Sequence, residues 1–595
     1  MKEKQAILAE IRSEMKTKGI DAIIVPSSDP HQSEYVASHW KTRSWISGFT
    51  GSAGTAVITL RQAGLWTDSR YFIQAEEELE GTPFSFHKLK VPHTPEHLTW
   101  LLQNLKKEAT IAVDGSLFSV NQVLNMQRFF KPYNIKLKTS ANILYKAWTD
   151  RPSLPKASVF ELKLKYAGQS RKRKLSQICD TVSAEKADYC LISTLDDIAW
   201  TLNLRGNDVE SNPVFIGFLL VGLKKSYLFV DSSKISAALA KKLKKDNVLI
   251  KEYNEIDAFL KTTSVKSKVM YDPASTSLSL SKAINKASGI HAATPSTYLK
   301  AIKNKIEVEG IRKAMIKDGV ALTRLYMWLE SSVGERKIDE VEVAETLASF
   351  RKEQGEYHGE SFNAIVGYKG NGAIVHYSAK RPTCATLKPK GVLLLDSGGQ
   401  YHCGTTDITR TTTFSKPNKA LKQDYTAVLK GHIAVATCIY TKGTRGNQLD
   451  LLARKALWAK HKNYGHGTGH GVGHFLNVHE GPQSISPAAT GKAAVALAPG
   501  MLTSNEPGFY KSGAYGIRIE NLVLTVEVAN NEFGTFYGFE TLTMFPIDTQ
   551  MIAFDQLTKE EVTWLNNYHK KVYKTVSPAL NTQEKKWLKE KCKVI

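Results

Sequence analysis

The sequence predicts an α/β chain in which two similar α/β units precede a larger mixed α+β unit. Three observations predict it. Short apolar strands alternate with helical stretches over residues 1–303, the pattern of α/β layers. The stretch KGIDAIIVPSSDP…WISGFTGS…AVITL…GLWTD is echoed by KADYCLISTLDDIAWTLNLRG, PVFIGFLLVGL and SYLFVD, a weak internal repeat. Beyond Lys303 the character changes, and motifs rich in acids and histidines become dense.

Each element has a local reason. Residues 1–20 place Ile7, Leu8, Ile11 and Met15 on one face of an amphipathic helix. AIIVP at 22–26 is a short buried strand, AVITL at 56–60 a second, and Leu65–Thr67 a third, before TDSRYFIQAEEEL opens a helix. GFTGSAG at 48–54 lacks the lysine and Ser/Thr of a P-loop and runs into a strand, so it reads as tight turns. Prolines and polar residues in WTDRPSLP at 148–155 mark a boundary. The expected domains are 1–152, 153–303 with the same fold, and 304–595. A long helix is expected from about Lys303, with Ile311, Met315, Leu322, Leu325 and Leu329 on one stripe. The tail MFPIDTQMIAF is apolar enough to pack, as core or as an interface.

Composition narrows the class. A chain of 595 residues exceeds one core. The net charge of +23 would suit an acidic partner, but the lysines are dispersed and no basic tail appears, which favours a soluble enzyme with a lysine-rich surface. The densest cluster, Lys163 to Lys174, reads as a solvated helix start. Six scattered cysteines without a CxxC pair fit a reducing compartment. No apolar leader and no membrane-length apolar run is evident, so the cytoplasm is expected, with no membrane and no nucleic-acid partner.

The chemistry centres on GVLLLDSGGQYHCGTTDITRTTTF at 391–414, read as an apolar strand ending on Asp396, a turn, and a Thr-rich strand carrying Asp407. Asp396 leaves a core strand into an enclosed space, where an unpaired carboxylate is costly and calls for a cation. Two such acids suggest a metal site; two solvated hairpin acids are the alternative. Downstream, NYGHGTGHGVGHFLNVHEGP interleaves His466, His470, His474 and His479 with glycines that permit close backbone approach. One or two of these histidines are expected to be functional. Glu506 precedes Pro-Gly, which fixes its direction. Arg518 and Glu520 alternate with isoleucines, on one face of a strand that continues as Leu-Val-Leu. Asp396, Asp407, His470, Glu506 and Glu520 together offer four carboxylates and one imidazole, a set that admits Mn, Co, Fe or Zn. Four carboxylates exceed the needs of one divalent ion and suit two, sharing bridging ligands, as in hydrolytic centres.

The motifs LLDSGGQYHCGTTDITRT, YGHGTGHGVGHFLNVHEGP, NEPGFY and GIRIEN, with GFTGSAGTA…LWTDSRYFIQA, LDDIAWTLNLRG and MFPIDTQMI…WLNNYH, are together highly specific. Over essentially its whole length the chain resembles the cytosolic three-domain Xaa-Pro aminopeptidases of the pita-bread metallopeptidase fold. The resemblance implies two creatinase-like N-terminal α/β domains followed by a pita-bread catalytic domain. It implies two divalent metals per subunit, most commonly Mn²⁺, with Co²⁺ or Zn²⁺ as alternatives. Asp396 matches the terminal ligand of one metal, Asp407 and Glu520 the bridging ligands, and His470 and Glu506 the ligands of the second. His376, in GAIVHYSA, and His479 match histidines that meet the scissile amide and stabilise the intermediate. His466 matches the histidine lining the prolyl pocket, Arg518 an arginine that steadies the site, and Arg43 a substrate-contacting arginine of the N-terminal domain. The resemblance assigns no role to His474, which reads as a surface residue or as one supporting the ligands.

The implied reaction is release of the N-terminal residue from Xaa-Pro peptides by a hydroxide bridging the metals, with Glu506 taking its proton. A homodimer through the catalytic domain is also implied. Prolidase would share the ligands but lack the middle domain, and methionine aminopeptidase would lack both N-terminal units. Creatinase-type relatives keep the fold without this ligand set. Non-enzymatic binders of the fold, for which the basic charge would be apt, have typically lost ligands.

Overall fold

The computed structural model describes residues 2–90, 95–140 and 143–595. The chain divides into two compact units, one of residues 1–162 and 169–297, the other of 163–168 and 298–595.

The first unit contains two six-stranded sheets built alike. One consists of β1 (Ala22–Val25), β2 (Thr55–Thr59), β3 (Ala63–Thr67), β4 (Ser85–Lys88), β5 (Thr110–Ala112) and β6 (Lys136–Lys138), in the order β4-β3-β2-β1-β5-β6. The other consists of β7 (Tyr189–Ile192), β8 (Phe218–Gly222), β9 (Ser226–Phe229), β10 (Val248–Lys251), β11 (Val269–Tyr271) and β12 (Gly289–His291), in the order β10-β9-β8-β7-β11-β12. In both, the first three strands pair antiparallel and the remaining pairs are parallel. The weak sequence echo therefore reflects one topology used twice. The N-terminal helix Lys2–Thr17 buries Leu8, Ile11 and Met15 in the first core, as its periodicity predicts. The Gly-rich stretch is a loop between the left-handed cap Gly48 and β2, not a phosphate cradle at a helix start.

Arg43 is held within the first unit. It is 5% exposed, and its guanidinium donates to Ser27 Oγ at 2.8 Å, to the Phe49 carbonyl at 2.7 Å and to the Gly51 carbonyl. Its donors are thus spent on holding the Gly-rich loop, because three acceptors surround it inside the unit. Arg43→Met is expected to destabilise the protein by about 3 kcal/mol, the worth of charged hydrogen bonds lost from a buried site. Urea unfolding would measure the loss.

The basic cluster is also not simply solvated. Arg171 opens the helix Arg171–Ala184 behind the cap Ser170, and it is buried between Glu161 at 2.9 Å and Asp246 at 2.7 Å. Lys174 is buried on the Trp200 carbonyl at 3.0 Å and Asn203 Oδ1 at 2.8 Å.

In the second unit the helix Lys305–Ser332 starts at Asn304, whose side chain caps it in a reciprocal box with Glu307. Ile311, Met315, Leu322, Leu325 and Leu329 are all buried. A three-stranded sheet holds β13 (Ile365–Tyr368), β14 (Val392–Ser397) and β15 (Ile408–Thr413), with β14 in the middle. Between β14 and β15 the chain leaves for two short strands, Gly399–Tyr401 and Gly404–Thr405, which pair in a separate sheet. The predicted hairpin therefore exists, antiparallel with Asp396 opposite Thr409, but Asp407 lies just before β15 and not within it. A six-stranded sheet contains β16 (Gly469–Gly471), β17 (Leu502–Asn505) and a long strand from Asn521. A two-stranded ribbon, β18 (Gly508–Lys511) with β19 (Tyr515–Arg518), connects β17 to that long strand. The glycines around His470 serve close approach: a Cβ on Gly469 would overlap the Ser504 carbonyl, and one on Gly471 the Glu480 carbonyl.

Candidate metal centre

Five strand segments bring five side chains to one place. Asp396 is the penultimate residue of the wholly buried β14. Asp407 precedes β15 and is 3% exposed. His470 is the middle residue of β16, Glu506 follows β17, and Glu520 follows β19 and is 1% exposed. His470 Nε2 lies 3.5 Å from Asp407 Oδ2 and 3.6 Å from Glu506 Oε1. Donor atoms of Asp407, His470 and Glu520 lie within 4.8 Å of one another, the geometry of a shared metal. His470 Nδ1 lies 3.1 Å from the Gly471 carbonyl, which places its proton there and leaves the Nε2 lone pair toward the acids.

The backbone fixes these directions. The Glu506 amide donates to the Thr468 carbonyl at 2.7 Å, ahead of Pro507. The Glu520 amide donates to the Thr409 carbonyl at 3.1 Å, and the Thr409 hydroxyl donates to Glu520 Oε2 at 2.8 Å. His432, fully buried, joins the residues beside both glutamates: its Nδ1 donates to the Asn505 carbonyl at 3.1 Å and its Nε2 accepts from Asn521 Nδ2 at 3.1 Å. Burial pulls its pKa down to about 3, so it stays neutral.

The electrostatics fit divalent cations. Asp396 Oδ1, Asp407 Oδ1 and Glu520 Oε1 are buried and, among the described residues, accept no hydrogen bond. Burial, and then the charge of neighbouring acids, raises the carboxyls of Asp407 and Glu520 well above the usual range. Burial raises Glu506 as well, against the pull of His470 and Arg518. Arg518 is the cation inside the cluster, donating to Asp396 Oδ2 at 2.6 Å. One guanidinium cannot balance four carboxylates, and such an excess of buried charge is met either by protons or by added cations. The orphaned oxygens and the imidazole are suitable donors for them.

The other expected residues are distributed around this group. The His479 ring meets His470 edge to face, with centroids 4.3 Å apart. His466 Nε2 accepts from the Tyr510 hydroxyl at 2.8 Å, and that hydroxyl accepts from Arg518 Nη1 at 2.5 Å. A chain His466–Tyr510–Arg518–Asp396 thus runs to the centre. His376 lies in the loop after the 3-10 turn Lys369–Ala373, which packs so closely on β19 that a Cβ on Gly516 would overlap the Gly372 carbonyl. His474 is buried against the long helix near Gly310 and is not part of the acid cluster. Arg43 belongs to the first unit.

Tyr510, Thr409 and His432 escaped the sequence reading. Tyr510 stands in the NEPGFY motif, and the ribbon register, with Gly508 opposite Arg518, is what carries it to the arginine. Thr409 is the register partner of Asp396. His432 lies far from every motif, in the middle of the helix Lys419–Ala436, and only the fold brings it in.

Beside His479, Glu480 is clamped by two buried lysines, Lys303 at 2.6 Å and Lys300 at 3.2 Å. Lys303→Met is expected to cost about 3–5 kcal/mol of stability, the price of breaking a buried pair from one side. Chemical denaturation would register it as a lower midpoint with unchanged slope.

The comparisons agree over the full length. The profile of metallopeptidase family M24 matches residues 309–527, and the C-terminal region of the same family matches 535–595. Creatinase/prolidase N-terminal domains match residues 8–146 and 150–307. A probable Xaa-Pro aminopeptidase P from Laccaria bicolor is 40% identical over 98% of this chain and 92% of its own. The chain belongs to the Xaa-Pro aminopeptidase P family of M24 metallopeptidases. Xaa-Pro aminopeptidase 1 of Dictyostelium discoideum is 38% identical over 98% of this chain and 95% of its own. The X-prolyl aminopeptidase of Caenorhabditis elegans, described as a cytosolic enzyme with a di-nuclear active site, superposes with a TM-score of 0.95 at 33% identity over 100% of both chains. The family's architecture, creatinase-type domains ahead of an M24 catalytic domain, is the one expected from the sequence. An Xaa-Pro dipeptidase from Bacillus anthracis shares the fold, with a TM-score of 0.51 at 22% identity over 64% of this chain. Among the described residues no helix is long and apolar enough to cross a membrane.

Proposed function

We propose that this protein releases the N-terminal residue from peptides with proline in the second position, at a two-metal centre formed by Asp396, Asp407, His470, Glu506 and Glu520. The observation that carries the reading is the buried acid cluster, with its three orphaned carboxylate oxygens and one imidazole among them. Similarity to Xaa-Pro aminopeptidases along the whole chain supports the substrate class. In this reading Asp396 would hold one ion, His470 and Glu506 the other, and Asp407 and Glu520 would help to hold both. An oxygen-rich set with one imidazole suits Mn²⁺, with Co²⁺ or Zn²⁺ as alternatives.

When bound, the ions supply a hydroxide nucleophile near neutral pH and polarise the scissile carbonyl. Glu506, directed by its proline turn, receives the proton of the attacking water. His376 and His479 donate to the charge that develops on the substrate. His466, steadied by Tyr510, lines the pocket for the prolyl ring. Arg518 directs Asp396 by donating to its Oδ2. A prolyl amide has no N–H and a fixed ring, so a pocket shaped to the ring turns poor reactivity elsewhere into selectivity here. The working division into domains is 1–152, 153–303 and 304–595. A cytoplasmic homodimer joined through the catalytic domain, acting on peptides and not on nucleic acid, completes the proposal.

The test is release of the N-terminal residue after chelator treatment, with and without Mn²⁺. An Xaa-Pro-Xaa tripeptide, an Xaa-Pro dipeptide and an Xaa-Ala-Xaa tripeptide are compared. Mn²⁺-restored cleavage of the Xaa-Pro tripeptide alone is expected. Cleavage of the dipeptide alone would make the protein a prolidase, and no cleavage with any divalent metal would overturn the hydrolytic reading.

A further inference from the structure

His376 sits on a stretch with little regular structure. Residues 374–384 contain only turns, bends and irregular backbone. A loop of this kind has many conformations of similar energy, and holding one costs entropy. A histidine that must donate to a developing charge needs a fixed position.

The anchor is Glu340. It is the first residue of the helix Glu340–Lys352 and is 0% exposed. Its Oε1 accepts from the Tyr368 amide at 2.7 Å and from Asn371 Nδ2 at 3.0 Å. Its Oε2 accepts from the Ala385 amide at 2.7 Å, the Tyr377 hydroxyl at 2.8 Å and Asn371 Nδ2 at 3.1 Å. Tyr368 and Ala385 flank residues 369–384, in which Asn371 lies on the 3-10 turn and Tyr377 in the irregular stretch. Asn371 Nδ2 also donates to the Tyr377 hydroxyl at 2.9 Å, which ties these two together. Tyr377 is the chain neighbour of His376. The Asn371 carbonyl accepts from the Ile374 amide at 3.1 Å, and the Ile374 carbonyl from the Tyr377 amide at 3.0 Å, so the turn bearing His376 is gripped on both sides.

Among the described residues no lysine or arginine pairs with Glu340. Its charge is met by neutral donors and by the helix N-terminus, where an anion is favoured. A buried carboxylate satisfied this way is a rigid hub, because each donor is a charge-assisted bond with defined direction. Every loop donor it collects lies on the segment that carries His376 or at that segment's ends.

We infer that Glu340 is a positioning residue for the reaction: through Tyr377 and Asn371 it closes the loop 369–384 and sets His376 toward the substrate. This rests on the reading of His376 as a substrate-facing donor.

The test uses the full-length enzyme with Glu340→Gln and Tyr377→Phe. Glutamine keeps the shape but sets an NH₂ group against donors. Three readouts apply: kcat and KM on an Xaa-Pro tripeptide, metal per chain, and the rate at which diethyl pyrocarbonate modifies His376 in metal-free protein, followed by mass spectrometry. For Glu340→Gln, kcat is expected to fall by about 10–100-fold, the scale of a lost supporting contact. KM should stay within about threefold and metal content unchanged, while His376 modification changes severalfold, because the loop loosens and the centre does not. A folded Glu340→Gln protein with wild-type kcat and wild-type His376 reactivity overturns the inference. If that variant does not fold, Tyr377→Phe decides: wild-type kcat and reactivity overturn it, and a fall in kcat at unchanged melting temperature supports it. If the wild-type enzyme cleaves no Xaa-Pro tripeptide, the hydrolytic reading fails, and the His376 reactivity still decides whether Glu340 holds the loop.

Discussion

Replacing Glu520 by glutamine is expected to cut turnover of an Xaa-Pro tripeptide on the order of 10³-fold, at least the loss that follows removal of one preorganised electrostatic group. The side chain is buried, and one of its oxygens already accepts from Thr409, an interaction that glutamine can retain through its own carbonyl oxygen. The other oxygen has no donor among the described residues, and in glutamine that position becomes an NH₂ group that cannot bind a metal. The effect on stability has the opposite sign. In the metal-free protein, Glu520 is crowded by Asp407, Glu506 and Asp396, and neutralising it relieves that repulsion. Metal-free Glu520→Gln is therefore expected to melt higher than metal-free wild type, while binding less metal and turning over poorly. Metal analysis beside calorimetry would show both signs. A variant that loses activity but melts lower without metal would mean that the acid cluster is not under charge strain.

Chelation is expected to make stability pH-dependent. Asp407, Glu506 and Glu520 have their pKa values raised in the folded protein, by burial first. In the unfolded chain such carboxyls lose their protons at about pH 4. Above that pH the folded metal-free protein holds more protons than the unfolded one, so stability falls as pH rises from about 4 through the raised folded pKa values. Divalent ions replace those protons and remove the penalty. The rise in melting temperature on adding Mn²⁺ should therefore be larger at pH 8 than at pH 5. A hundredfold excess over Kd supplies about 2.7 kcal/mol by mass action, which is several degrees for a domain of this size. Equal shifts at both pH values would indicate that the metal binds somewhere other than this cluster.

Much of this was legible from residue order alone. Strand and helix alternation, the repeat and the stripe of the long helix follow from local periodicity, which burial then satisfies. The four acids and one histidine proposed for the centre were legible as candidates because each stands beside a strand, in a glycine-rich run or before a Pro-Gly turn, where local sequence restricts direction. His479 stands with them because it is close to His470 in the chain.

What only the tertiary structure decided involves partners distant in the chain. The partners of Arg43, Ser27 and the carbonyls of Phe49 and Gly51, were set by the fold. Asp407 looked like a strand residue, and the excursion of residues 399–405 into another sheet moved it to the strand's approach. Arg171 and Lys174 looked solvated, and acids or carbonyls from other elements enclose them. Glu340 and His432 carried no signal, and Tyr510 only its place in NEPGFY, since a buried polar residue acquires its role from whichever donors and acceptors the fold places around it. Sequence by itself determined which groups could hold metal and which faces had to be buried; the pairing of buried charges was left to the fold, because a hydrogen bond acts over about 3 Å and its partner is chosen by packing, not by proximity along the chain.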